Sequence, residues 1–165
     1  MRPEIYWVKE LDLSRFALMP RPRAGEWLSE EISGWREQGV GVVVSLLESH
    51  DVRELDLSPE PEFCKAHEIK FVSFPMKDRG APESVREVER LVQVVVGYLR
   101  QGFGVAVHCR AGIGRAGVIA ACVALEFGIP LTEVFSVLGR ARGVPIPDTD
   151  SQAEWVRRYA NRVRN

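Results

Sequence analysis

Eight consecutive residues, Val40 to Leu47, read Val-Gly-Val-Val-Val-Ser-Leu-Leu, with Ser45 the single polar side chain. A strand with one wet face alternates polar and apolar residues. This run does not alternate, so both its faces must be covered, as in a parallel sheet with helices on either side. Gly104 to His108 is a second buried run, and Ile69 to Phe74 a third strand. Ile5 to Val8 and Phe16 to Met19 read as an N-terminal strand pair. Between the strands, helices are expected over Gly25 to Gln38 and from a Ser58-Pro59 N-cap through Cys64 towards His67. Glu83 to Gln101 is a long amphipathic helix with Val85, Val88, Leu91, Val92, Val95 and Leu99 on its apolar side. Arg115 to Phe127 is a helix stopped by Gly128, and Leu131 to Arg142 and Ser151 to Arg162 are the last two. Strands alternating with helices specify an α/β domain with a central mixed, largely parallel sheet flanked by helices.

With no repeat, low-complexity tract or linker, residues 1–165 read as a single domain, long enough to bury a core without metal or disulfide staples. The formal net charge of −1 gives no reason to expect a nucleic-acid partner. No apolar run is long enough to span a membrane, and Met1 to Glu4 opens no signal-peptide pattern. Cys64, Cys109 and Cys122 are odd in number and lack metal-ligand spacing, which fits a reducing compartment. A cytoplasmic protein without a metal site is expected, its oligomeric state left open.

The chemistry concentrates in Val105-Ala-Val-His-Cys-Arg-Ala-Gly-Ile-Gly-Arg-Ala-Gly117. A buried strand ends at His108, a glycine-containing loop follows, and a helix opens near Arg115. Ligands of open α/β sheets sit at the carboxyl ends of strands, where this loop belongs. Gly112 and Gly114 let the backbone curl so that successive N–H groups form an anion nest over Cys109, Arg110, Ala111, Gly112, Ile113, Gly114 and Arg115. The helix N-terminus adds unpaired donors, and Arg115 can grip two phosphate oxygens at once. The same field favours the thiolate of Cys109, and a thiolate beside a phosphate cradle is an in-line nucleophile. No metal or cofactor is needed for such phosphoryl transfer. His108 reads as a packed residue bonded to nearby backbone.

His108-Cys109-Arg110-Ala111-Gly112-Ile113-Gly114-Arg115 resembles the phosphate-binding loop of the protein tyrosine phosphatase superfamily, H-C-x-x-G-x-G-R-[S/T]. The compact chain is similar to the small dual-specificity branch. Rhodaneses and arsenate reductases also use a Cys loop but fit the flanking His and the Gly-Ile-Gly-Arg ending less well. The resemblance implies Cys109 as nucleophile and Arg115 as transition-state clamp. In the family a Ser or Thr follows the Arg, and its hydroxyl supports the cysteine sulfur; here that position is Ala116. The departure puts the second chemical step in question more than phosphate binding.

Expelling an alkoxide or phenolate needs a proton donor. Asp78 is the leading candidate, in a Pro/Gly-bounded loop after a strand, and Phe74 to Gly80 resembles the family's general-acid loop. Glu48, just past the buried strand, is the second candidate. Gln152 stands where family members carry a Gln that orients the attacking water. Cys122 reads as core; Cys64 is a resolving thiol only if folding brings it to Cys109. The expected function is metal-independent hydrolysis of phosphomonoesters through a cysteinyl-phosphate, as a protein tyrosine/dual-specificity phosphatase acting on phosphotyrosine with some phosphoserine or phosphothreonine; the substrate is a phosphorylated protein or small phosphomonoester. The rivals are a phosphoinositide phosphatase, favoured by Arg79 and Arg110 but not by Ile113, and a phosphate-binding pseudophosphatase, motivated by Ala116.

Overall fold

The computed structural model describes residues 2–10 and 15–163. Five strands form one sheet in the order β1-β2-β5-β3-β4: β1 (Tyr6–Trp7), β2 (Arg15–Met19), β3 (Val40–Ser45), β4 (Lys70–Ser73) and β5 (Gly104–His108). β1 runs antiparallel to β2, and the other pairings are parallel. β5 is therefore the central strand. Its end, His108, stands opposite Met19 on one side and Ser45 on the other.

Side-chain alternation divides two cores between the faces of this sheet. Phe16, Leu18, Val42, Val44, Val105 and Val107 join one core, against α4 (Val85–Arg100), α5 (Arg115–Glu126), α6 (Val134–Arg142) and α7 (Asp150–Val163). Ala17, Met19, Val43 and Ala106 join the other, with Leu28, Ile32 and Trp35 of α1 (Leu28–Glu37) and Cys64 of α3 (Glu60–Ala66). Both faces of β3 and β5 are thus dry, as their unbroken apolar runs require.

The expected elements are present with small shifts at their ends. Gly25–Trp27 is a 3-10 turn leading into α1. Ser58 is not a cap: α3 begins at Glu60, with Pro59 at the N-cap position and no side-chain cap bond. One helix was not anticipated, α2 (Ser49–Glu54), six residues directly after β3. No described helix is long and apolar enough to cross a membrane.

α5 determines where the site lies. Ala116 to Ala124 is buried without interruption, so this helix runs through the core rather than along the surface. Alanines at 116, 120, 121 and 124 favour the helix and allow close approach by α4, α6, α7 and the sheet. Its N-terminus is anchored below the carboxyl end of β5, and the loop from Cys109 to Gly114 joins the two.

Candidate active site

Neighbouring backbone anchors both ends of the turn that leaves β5. Leu46 N–H donates to the His108 carbonyl at 3.0 Å, and Arg21 N–H to the Arg110 carbonyl at 3.0 Å. His108 is fully buried, with Nε2 2.6 Å from Glu60 Oε2 and Nδ1 3.2 Å from the Cys109 carbonyl. The expected backbone bond of His108 is present; its carboxylate partner was not foreseen.

Every carbonyl around the loop is bonded away from the cleft. Cys109 O faces His108 Nδ1, and Arg110 O accepts from Arg21 N–H. Arg142 covers two more, donating from Nη2 to Ala111 O (2.9 Å) and from Nε to Gly112 O (3.3 Å). Ile113 O and Gly114 O accept from Gly117 and Val118 N–H at 3.0 Å in the first turn of α5. In a planar trans peptide the N–H points opposite to its C=O. Six outward carbonyls therefore turn the N–H groups of residues 110–115 to the other side. None of those six donates to another group among the described residues. Gly112 makes the curl possible: its φ is +76°, and a Cβ there would lie 2.5 Å from the Met19 carbonyl.

Arg115 opens α5 and is 1% exposed. Its Nη1 donates to Asp51 Oδ2 (2.9 Å) and to the Met76 carbonyl (3.0 Å). Nε and Nη2 are buried with no hydrogen-bond acceptor among the described residues. An unmet buried donor costs about 1–3 kcal/mol, more when charged, a cost that an anion at this edge of the guanidinium would relieve. Asp51 holds it in place. That carboxylate, fully buried on α2, also accepts from Arg110 Nε (2.8 Å) and Glu48 N–H (2.8 Å). Burial opposes its charge, but the hydrogen bonds from Arg115, Glu48 and Arg110 outweigh burial and hold the carboxyl down at about 2.

Cys109, Arg110, Ala111, Ile113, Gly114 and Arg115 line one cleft of about 210 Å³, with Asp78, Arg79 and Asp148 completing its wall. The half-exposed Asp78 has Oδ1 3.5 Å from Arg115 Nη2, which places a carboxyl at the mouth directly beside the clamp. Its loop is tied across the cleft. Arg79 Nη1 meets Asp148 Oδ2 at 2.8 Å, and Gln152 Nε2 donates to Gly80 O at 3.1 Å. Buried Gln152 accepts on Oε1 from the N–H groups of Asp148 and Thr149. Its amide lies 3.2 Å from where a Gly114 Cβ would be. Glu48 does emerge at the carboxyl edge of the sheet, but it lines a different cavity, of about 310 Å³, together with Met76 and Lys77.

The other cysteines stand apart from this chemistry. Cys64 is buried in the core on the opposite sheet face from the core that holds Cys109, and burial, followed by the charge of Glu60, pushes its thiol up to about 12. Burial likewise pushes the Cys122 thiol up. The participants missed in the sequence are Asp51, Glu60 and Arg142.

The family model described as a polymorphic toxin system DSP-PTPase phosphatase matches residues 17–128, a stretch containing Asp78, Cys109 and Arg115. A segment of 73 residues, 42% of this chain, is 36% identical to tyrosine-protein phosphatase non-receptor type 18 of Mus musculus. That match covers 15% of the mouse protein, so the chain spans only a small part of its length. Among solved structures, kinase associated phosphatase with its catalytic-site cysteine changed to serine superposes with a TM-score of 0.89 at 15% identity, over 99% of this chain and 97% of that one. PTPMT1 in complex with PI(5)P superposes with a TM-score of 0.75 at 18% identity, over 93% of this chain and 94% of that one. At these identities the structural likeness concerns the fold.

Proposed function

We propose that this chain, which belongs to the DSP-PTPase phosphatase family, hydrolyses phosphomonoesters through a covalent phosphocysteine on Cys109. The observation that carries the proposal is the Nε and Nη2 edge of buried Arg115, which has no hydrogen-bond acceptor among the described residues and is set in one cleft with Cys109 and a ring of outward-bonded carbonyls. A tetrahedral dianion satisfies all of these donors at once.

In the first step the Cys109 thiolate attacks phosphorus in line. The S–P bond forms as the P–O bond to the leaving group breaks, and Asp78 delivers its proton to the departing oxygen. The N–H groups of residues 110–115 and Arg115 carry the charge on the equatorial oxygens. In the second step water attacks phosphorus, Asp78 takes the water's proton, and the S–P bond breaks to return the thiolate and release phosphate. Gln152 is assigned to this step: Gly80 O takes one proton of its Nε2, and the second orients the water. No side-chain hydroxyl among the described residues replaces the one missing at Ala116.

Phosphotyrosine in a protein, with some phosphoserine or phosphothreonine, is the favoured substrate class. The two arginines that argued for a phosphoinositide already have carboxylate partners: Arg110 is paired with Asp51 and Glu54, and Arg79 with Asp148. The rim is therefore not a bare cationic surface suited to several phosphates. The test is steady-state turnover of an aryl phosphate, a phosphotyrosyl peptide and a phosphoinositide, with and without chelator. Turnover unaffected by chelator, highest on the peptide, and abolished in Cys109→Ser while phosphate still binds is the expected result. Turnover that survives Cys109→Ser or depends on metal refutes the mechanism. A preference for the lipid replaces only the substrate class.

A further inference from the structure

We propose that Arg142, 31 residues beyond Ala111 in the chain, is a positioning residue for catalysis, and that the N-terminal strand β1 holds it in place through Tyr6. The inference rests on the reading of the Cys109 loop as a phosphate cradle. Of the six loop carbonyls, four are oriented by backbone donors or by the adjacent His108. The other two, Ala111 O and Gly112 O, have Arg142 as their only partner among the described residues, through Nη2 and Nε on the same planar fork. Planar peptides make this a direct control on the cleft side. The carbonyl of Ala111 shares its plane with the Gly112 N–H, and that of Gly112 with the Ile113 N–H. Without an outward donor these two peptides, flanking a glycine at φ +76°, are free to rotate. A rotated peptide turns an oxygen towards the phosphoryl group in place of a donor.

Arg142 suits this task because both ends of its side chain are constrained. It is the last residue of α6, where Gly143 at φ +87° ends the helix and donates back to Gly139 O at 2.8 Å. Its guanidinium carbon lies 4.1 Å from the centroid of the Tyr6 ring, an arrangement that favours a cation over the π face. Tyr6 is positioned in turn by pairing with Leu18 across β1 and β2 and by donating its hydroxyl to Glu4 Oε2 at 2.8 Å. A lysine could supply the charge but not two donors in one plane.

The test titrates inorganic phosphate into the 15N-labelled full chain and follows the amide resonances of Arg110, Gly112 and Ile113. Aryl phosphate kinetics are measured on the same proteins. Arg142→Ala is expected to lose roughly tenfold in phosphate affinity and in kcat/KM, the order expected for two misdirected donors. Its phosphate-induced shifts at Gly112 and Ile113 should shrink while that of Arg110 persists. Arg142→Lys is expected to recover part of the loss, and Tyr6→Ala to show a smaller loss of the same pattern. Arg140→Ala removes the same charge from the same helix, but Arg140 has Glu10, at 3.6 Å, as its only ion-pair partner among the described residues, and the variant is expected to match the wild type. Unchanged Gly112 and Ile113 responses in Arg142→Ala, or an equal loss in Arg140→Ala, overturn the proposal. Should Arg142→Ala fail to fold, wild-type affinity in Arg142→Lys overturns it instead. A wild-type protein whose loop amides ignore phosphate refutes the cradle itself, a result distinct from either.

Discussion

Replacing Asp51 by Asn tests the central electrostatic claim, that one buried carboxylate holds Arg115 ready for phosphate. The two groups are 0% and 1% exposed and 2.9 Å apart, so solvent screens them little. The carboxyl sits at about 2 in the folded protein against 3.8 for an unperturbed Asp. Between those values the unfolded chain binds a proton that the folded chain does not. Asp51 therefore contributes stability that is complete above about pH 5 and is lost as pH falls through about 2. At 1.36 kcal/mol for each pH unit of difference, the contribution is on the order of 2 kcal/mol. In Asp51→Asn this pH-dependent part is absent at every pH. The variant also leaves Nη1 of Arg115 with carbonyl partners only, a loss of about 3–5 kcal/mol at neutral pH by analogy with other broken buried pairs. Urea unfolding of both proteins at pH 6, 4 and 2.5 separates the two effects. The gap between them should narrow by more than half of that contribution towards pH 2.5, and the variant's phosphate affinity at pH 6 should fall at least tenfold. Parallel stability profiles would refute the charge assignment, and undiminished phosphate affinity would show that Arg115 needs no carboxylate to orient it.

Asp78→Asn is expected to slow alkyl phosphates by about two to four orders of magnitude while sparing activated aryl phosphates, measured as the dependence of kcat/KM on leaving group. If Glu48→Gln behaves this way instead, the acid is Glu48. Arg115→Lys is expected to lose most turnover despite keeping the charge, since an ammonium cannot present Nε and Nη2 together; steady-state kinetics and vanadate inhibition report it. Ala116→Ser is expected to raise kcat and shrink a pre-steady-state burst of leaving group seen by rapid quench, because the hydroxyl would support the departing sulfur. Absence of a burst in the parent chain would mean the second step is not slow.

What the sequence determined alone was whatever depends on neighbours along the chain. The runs at Val40 to Leu47 and Gly104 to His108 carry their burial in their composition, because a strand covered on both faces has no reason to alternate. The loop, with the nucleophile and clamp proposed for it, occupies eight consecutive residues, 108–115, so the curl, the glycine that permits it and the helix start are all local. Asp78 was legible because a turn at the carboxyl end of a strand can lie only near other such ends. The residues that tune this site were not legible. Asp51 sits in Ser49-His50-Asp51-Val52-Arg53-Glu54, a six-residue helix with no apolar periodicity, and reaches Arg115 across 64 positions. Glu60 meets His108 across 48 positions, and Arg142 meets Ala111 across 31. Taken singly, each is a charged residue on a short helix or at a helix end, the usual marks of a solvated face. Their roles follow from distance and burial. Only the packing of α2, α3 and α6 around the end of β5 brings a carboxylate within 3 Å of one guanidinium and a second guanidinium onto the back of the loop.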